Sequence, residues 1–409
     1  LMGSLAHTQV GFPQIIQIAD LGGEYCVTFL ILFVAACLTT MLTPRKSVVR
    51  QLLPLVPGGV ALALTLYYAE LRSTHVATRT ESSPATRIAL IQGNTLADWK
   101  GDLDRQQAIM DEYFSLSLDA VRQSQLRDGR AVDVIIWPET SFRQPLWTVA
   151  DGYQLPAEHF HESRFLAAKS ELQEFVRQTG AAILTGIDRA EVSPNASGQP
   201  EVLGHNSSVA VNKQGELVGF YDKMHLVLMG EYVPFSDWVP LLKRLTPITG
   251  LAEPGERPVA MELASLVFCP NICYETVVPH QIREHVTALT EANHAPDVLV
   301  NLTNDSWFWG SSELEMHLAC GIFRAVEMRL PLLIAANGGL SAHVDPLGNL
   351  LQVTPRQQTA LLLVDLPNRQ PPILTCYARY GDWFAGSCVI CCVVLGVVGW
   401  QASRSDGAN

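Results

Sequence analysis

The chain has 409 residues, of which 17% are charged, with 40 acidic against 28 basic side chains and a formal net charge of −12. An acidic surface of this kind keeps a protein soluble and repels phosphate backbones, which excludes a nucleic-acid-binding surface. The mean hydropathy is nevertheless positive, at +0.16, and because the middle of the chain is ordinary globular sequence the apolar excess is concentrated at the two ends.

The elements follow in order. Tyr25 to Thr43 carries no charge over about 19 residues, enough to cross a roughly 30 Å hydrocarbon core. It is not a signal peptide, since some way of chain precedes it and no A-x-A site follows. A second apolar run, Leu52 to Ala69, contains Pro54, Pro57 and the Gly58-Gly59 pair, so its entry is expected to be kinked. Arg45, Lys46 and Arg50 lie between the two runs, and the positive-inside rule puts that loop in the cytoplasm. The region from Arg72 to Asp382 is then expected on the far side. It alternates strands and helices: TRIALIQGN is a strand, DLDRQQAIMDEYFSLSLDAV a helix, VDVIIWPE a strand, ESRFLAAKSELQEFVRQTG a helix and AAILTGID a strand. A hairpin spans NSSVAVNKQGELVGFYDK, strands ASLVFCPNIC and DVLVNLTND frame a helix, and LEMHLACGIFRAVEMRL is an amphipathic helix. The stretch LLIAANGGLSAHVDPLGNLLQV ends the domain in two or three strands. A third span, Trp383 to Ala402, is bounded by tryptophan-bearing sequence as an aromatic belt is. The organisation expected is thus 1–72 with two transmembrane helices (about 25–43 and 52–70), a catalytic domain over 84–370 and a C-terminal transmembrane helix over 381–402.

Three of these segments end in a reactive residue: Glu139 in IIWPETS, Lys223 in YDKMHLVLMGEYVPF and Cys273 in NICYE. A carboxylate, an ammonium and a thiol are the minimum set for covalent acyl chemistry at a cysteine. A thiol with a free pKa near 8.5 needs a base or a positive charge beside it. Glu139 after the apolar VDVIIWP can take its proton, and Lys223 can hold the charge that develops on a carbonyl oxygen. Strands ending in WPE and CYE are expected to place both side chains at one edge of a sheet, where α/β enzymes build their sites. Cys269, four positions earlier on the same run, is a core thiol. His225 and His317 are rejected as partners in a Cys-His dyad, and Cys269 with Cys273 lacks the second ligand pair a zinc site needs. The nine cysteines, five of them in or beside membrane runs, make no disulfide framework. In the stretch MGEYVPFSDWVPLLKRLTPI, Phe235, Trp238, Val239, Leu241 and Leu242 are candidates for dipping into a lipid surface.

The set WPE, YDKMHLVLMGEYVPF and CYE resembles the nitrilase, or carbon-nitrogen hydrolase, superfamily. With NLTNDSWF and FRAVEMRLPLLIAANGG it is similar to the bacterial apolipoprotein N-acyltransferase branch over nearly the whole chain. The resemblance implies an α/β fold, a nitrilase-like αββα sandwich flanked by transmembrane helices. It implies a Glu139, Lys223 and Cys273 triad, Glu231 as a second essential carboxylate with Tyr274 and Glu275 in support, and Trp99 and Asn206 near the substrate. It also implies a phospholipid sn-1 acyl group as donor, the α-amino group of a diacylglyceryl-cysteine at an apolipoprotein N-terminus as acceptor, and a bacterial inner membrane location with the catalytic domain periplasmic. No metal or other cofactor is needed. Family members carry several more spans before the region that opens here at Leu1, and Trp309, Met224 and Leu228-Met229 depart from the family form. Two rival readings are an anchored amidase, whose acyl-enzyme water releases, and a catalytically impaired, truncated homologue.

Overall fold

The computed structural model describes residues 2–43, 47–80, 85–96, 102–156, 161–228, 230–233, 252–308, 310–368 and 373–406. Trp99, Trp309, Met229 and the stretch from Phe235 to Leu242 lie outside them.

The chain begins with a 3-10 turn at Leu5–Gln9, short helices α1 (Pro13–Ile16) and α2 (Ala19–Gly22), and then α3 (Glu24–Leu42), α4 (Val48–Leu52) and α5 (Leu55–Thr80). The break between α4 and α5 falls at Leu53-Pro54, as the prolines require. A βαβαβ unit follows: β1 (Ala85–Gln92), α6 (Leu103–Asp128), β2 (Val134–Ile136), β3 (Phe142–Val149), α7 (Glu162–Thr179), β4 (Ala182–Pro194). Helix α6 starts where the Asp102 carboxylate accepts from Arg105 N at 3.0 Å and stops at Gly129, whose φ of 75° only glycine adopts without strain. Hairpin β5 (Pro200–Val211) and β6 (Leu217–Asp222) completes this half. The second half repeats the plan with β7 (Met261–Leu263), β8 (Leu266–Ile272), α8 (Pro279–Glu291), β9 (Val298–Asn304), α9 (Glu313–Met328), β10 (Leu332–Asn337), β11 (Ala342–Val344) and β12 (Leu350–Val353). The chain then returns to the first sheet as β13 (Ala360–Pro367) and leaves through α10 (Cys376–Tyr380) and α11 (Trp383–Asp406).

One sheet runs β13-β1-β2-β4-β5-β6, with β3 also on β4; the other runs β12-β11-β10-β9-β8-β7. The centres β1-β2-β4 and β8-β9-β10 are parallel, β3 joins β4 in parallel, and the remaining pairs are antiparallel. Alternation along each strand makes the layers. Ile88 and Leu90 face Phe268, Val300 and Leu333 of the other sheet, whereas Ala89 and Ile91 cluster with Trp137 after β2, Tyr113 of α6 and Phe175 of α7. Behind the second sheet, α8 and α9 pack with Leu299 and Leu332, and Ile16, Ala19 and Val27 of the N-terminal segment cover them. The product is a nitrilase-like α/β fold of four layers, helix, sheet, sheet, helix.

The fold corrects several expectations. Helix α9 is not half-exposed: from His317 to Met328 every residue is buried, because α1 and α2 lie over the face that the sequence pattern assigns to solvent. Strand β3 and the returning β13 are additional, and β2 is only three residues long. Glu139 and Cys273 do not share one sheet, since β2 belongs to the seven-stranded sheet and β8 to the six-stranded one.

Among the described residues two helices are long and apolar enough to cross a membrane, Glu24–Leu42 and Trp383–Arg404. The apolar window of α11 buries nothing, and Val389, Val393, Leu395, Val397 and Trp400 stand exposed along it. Helix α5 has an exposed apolar face at Val56, Val60, Leu64 and Tyr67 but also carries Glu70 and Arg72.

Candidate active site

The parallel centres of both sheets end at one side of the sandwich, and the site is assembled there from loops on either sheet. After β2 the chain turns sharply at Pro138-Glu139-Thr140, with Thr140 at φ 47° and Ser141 Oγ donating to Pro138 O at 2.7 Å. Gly186 on β4 admits this turn, because a Cβ there would stand 2.5 Å from the Glu139 Cα. Glu139 is thereby aimed inward and is 7% exposed. Its Oε1 accepts from Asn206 Nδ2 at 2.7 Å and faces Lys223 Nζ at 3.4 Å, and its Oε2 accepts from Asn304 N at 2.9 Å. Asn304 ends β9, so the carboxylate bonds both sheets.

Lys223 follows β6 and is anchored by its own N–H on Asn206 O at 2.8 Å. Its ammonium, 1% exposed, donates to Glu231 Oε1 at 2.8 Å. Glu231 also accepts from Asn206 Nδ2 at 3.1 Å and from Val227 N at 2.8 Å, so one carboxylate closes the loop after the lysine and holds the lysine itself. Asn206 thus spends its amide nitrogen on two carboxylates, and its Oδ1 has no partner among the described residues.

Cys273 follows β8 at φ 53°, a left-handed conformation costly for a non-glycine residue, and opens a 3-10 turn over Cys273–Val277. This sharp strand-to-turn corner carries the thiol, partly buried, toward Glu139 and Lys223. Glu275 braces it. Fully buried, it accepts from Ile272 N at 2.7 Å through Oε2, and through Oε1 from Met224 N at 2.7 Å, His225 N at 3.0 Å, Tyr221 Oη at 2.8 Å and Gln281 Nε2 at 2.8 Å. Tyr274 stacks on His225, with ring centroids 6.0 Å apart.

The electrostatics favour proton exchange. Burial pushes the Glu139 carboxyl above its ordinary value and Glu231 adds to this, while Lys223, Asn206 and Asn304 pull it back. Burial raises the Cys273 thiol further, Glu139 likewise, and Lys223 opposes them. Burial by itself would discharge Lys223, yet the carboxylates of Glu139 and Glu231 offset it and keep the ammonium charged. A protonated thiol therefore faces a carboxylate of raised basicity across a fixed positive charge, which is an arrangement for general-base activation of sulfur.

The structure places Glu139, Lys223, Glu231, Asn206, Tyr274, Glu275 and Cys273 in one region, while Trp99 is outside the described residues. Sequence reasoning set Asn304 aside as a capping residue and passed over Asn301, their sole signal being a polar residue in or at the end of an apolar strand, and it passed over Tyr221 and Gln281, which carry none. His317 is not the thiol's partner: its ring reaches the Cys273 carbonyl.

A four-layer sandwich with acid, lysine and cysteine at its strand ends defines a carbon-nitrogen hydrolase, and the family model of that description matches residues 87–370. A second model, the apolipoprotein N-acyltransferase N-terminal domain, matches residues 2–37. Relatives called apolipoprotein N-acyltransferase from Rhodopirellula baltica and Geobacter metallireducens are each 30% identical, over 93% and 97% of this chain and 70% of their own lengths. One from Bradyrhizobium diazoefficiens is also 30% identical, over 96% of this chain and 70% of its own. An amidase from Nesterenkonia of solved structure aligns at 20% identity and a TM-score of 0.45, covering 71% of this chain and 93% of its own. The chain belongs to the apolipoprotein N-acyltransferase family.

Proposed function

We propose that this protein is a membrane-bound N-acyltransferase of three spans over 25–43, 52–70 and 381–402. It takes an acyl chain from a phospholipid onto Cys273 and passes it to the α-amino group of the diacylglyceryl-cysteine at an apolipoprotein N-terminus. The observation that carries the reading is the Glu139 carboxylate, fixed by Asn206, Lys223 and Asn304 from both sheets beside a cysteine at a strained corner.

Glu139 takes the Cys273 proton as the sulfur attacks the ester carbonyl, and Lys223 Nζ holds the oxyanion. The C–O bond to glycerol breaks, the proton passes from Glu139 to the leaving alkoxide, and a lysophospholipid departs from the thioester. The α-amino nitrogen then attacks the thioester carbonyl, giving its proton to Glu139. The C–S bond breaks, sulfur recovers the proton, and an amide leaves. Glu231 and Glu275 hold the lysine loop, and Asn206 Oδ1, without a partner among the described residues, is suited to receive an N–H of the incoming amine.

The exposed apolar faces of α3, α5 and α11 support insertion in a bilayer. The basic loop Arg45-Lys46…Arg50 supports a cytoplasmic connection and a periplasmic catalytic domain, 84–370, in a bacterial inner membrane. The test is intact-protein mass spectrometry of the detergent-purified chain with phospholipid, beside Cys273→Ala. A fatty-acyl increment on the wild type alone, discharged by a diacylglyceryl-cysteine peptide, is expected. An adduct that water discharges as fast as the peptide does would make it an amidase-type hydrolase.

A further inference from the structure

Helix α9 reaches the nucleophile from behind, through a residue that takes no part in the bond-making steps of acyl transfer. His317 is 4% exposed, with Nε2 3.1 Å from the carbonyl oxygen of Cys273 and Nδ1 3.4 Å from Asp305 Oδ1. A carbonyl only accepts hydrogen bonds, so Nε2 carries the hydrogen, and the Asp305 carboxylate beside Nδ1 favours the protonated ring. Burial opposes that charge, but the Asp305 carboxylate outweighs it and raises the His317 pKa. Asp305 is itself fixed, accepting from Thr303 Oγ1 at 2.6 Å. Among the described residues, Glu313 and Cys320 of α9 also act on the ring. Asn301 Nδ2, 3.1 Å away, is the second donor to the same Cys273 carbonyl.

Two donors on the main-chain oxygen of a nucleophile are a specific device. That oxygen belongs to the Cys273–Tyr274 peptide, which is trans and planar, so fixing its direction fixes the Tyr274 N–H pointing the opposite way. The Tyr274 N–H stands in the first turn of a 3-10 segment, where donors have no partner within the turn, and beside the thiol. With Lys223 it makes a pair of donors for the acyl oxygen.

We infer that His317, paired with Asp305, is a positioning residue for acyl transfer: its grip on the Cys273 carbonyl holds the left-handed corner and aims the Tyr274 N–H at the acyl oxygen. The inference rests on Cys273 being the nucleophile. It is tested by rapid-quench mass spectrometry of acyl-enzyme formation, against phospholipid concentration, in wild type, Cys273→Ala, His317→Ala and His317→Gln. The amide nitrogen of glutamine can stand where Nε2 stands and donate to the same carbonyl. His317→Ala should acylate roughly 100-fold slower, the loss expected for one oxyanion donor, at an unchanged half-saturating lipid concentration. His317→Gln should recover most of that loss. A wild-type rate in His317→Ala, or a His317→Gln as slow as His317→Ala although both melt like the wild type, overturns it. Should His317→Ala fail to fold, His317→Gln and Asp305→Asn decide: the first should acylate within about tenfold of wild type and the second more slowly than the first, since asparagine keeps an acceptor for Nδ1 but removes the negative charge that holds the ring. The reverse order overturns the inference. Absence of an adduct on the wild type itself would instead remove the Cys273 reading.

Discussion

Glu275 Oε1 lies 2.7 Å from the backbone nitrogen of Met224, so the carboxylate two residues after Cys273 is tied to the residue that follows Lys223. Cysteine and lysine come from different sheets, and this carboxylate joins their two loops. All five of its partners donate. In Glu275→Gln one oxygen becomes a donor facing donors, which should cost about 3 kcal/mol, the scale of a lost charge-assisted hydrogen bond in a buried site. The expected result is a lower melting temperature and a fall in kcat with KM little changed, measured on the acyl-transfer reaction. Wild-type kcat in a less stable protein would show that Glu275 supports the fold alone.

The acid limb of the reaction should report Glu139. As general base it works ionised, and its raised pKa places the limb above the carboxylate range near 4.3. Glu231 is one of the groups that raise it. Neutralising that charge in Glu231→Gln should therefore move the limb of kcat/KM to lower pH, while the overall rate falls because Lys223 loses its 2.8 Å partner. A limb that moves upward, or stays, contradicts the assignment of Glu139 as the titrating base.

Much of this site is legible in the sequence because each reactive residue ends an apolar run, and the end of a buried strand is where a side chain meets solvent. The resemblance implies two sheets, but the assignment of strands to them is not legible. VDVIIWP and ASLVFCPNI read alike as buried strands, and nothing local tells which sheet receives each. Strand β13 is missed because its partner is β1, paired as Ile88 with Val364 across the whole domain. Helix α9 has the period of an amphipathic helix, but its outer face is covered by α1 and α2, so Arg324 and Arg329 are buried where the pattern puts them in water. The Asn304 N–H on Glu139 depends on the two sheets facing each other, a relation no short window contains.

Stability should decline toward acid through His343. This residue of β11 is buried, and burial pushes its pKa down from 6.5 to about 4, with Asp345 pulling slightly the other way. Between those values the unfolded chain binds a proton that the folded chain refuses, so stability is full above about pH 6.5 and falls as pH drops toward 4. The loss amounts to about 1.4 kcal/mol for each pH unit crossed inside that window. Thermal melts of wild type and His343→Leu across this window are expected to converge, the variant losing less as the pH falls. Parallel curves would mean that His343 is hydrated in the folded protein.

Asp20 ties the N-terminal segment to the end of α9. Its Oδ2 takes Nη2 and Nε of Arg329 at 2.8 and 2.9 Å and Nε of Arg72 at 3.0 Å, and its Oδ1 accepts from Tyr68 Oη at 2.7 Å. Arg329 has no exposed side-chain surface, whereas Arg72 is 26% exposed. The two ion pairs should therefore differ in worth. Asp20→Asn leaves the buried guanidinium of Arg329 without a counter-charge and is expected to cost roughly 3–5 kcal/mol, although Gln17 and Pro346 still accept from it. Arg72→Ala removes a partner that water can replace and should cost at most about 1 kcal/mol. Because His317 sits on the same helix, Asp20→Asn should also slow acyl-enzyme formation at temperatures where it remains folded, and Arg72→Ala should not. Equal losses of melting temperature in detergent for the two variants would show that burial does not set the strength of this connection.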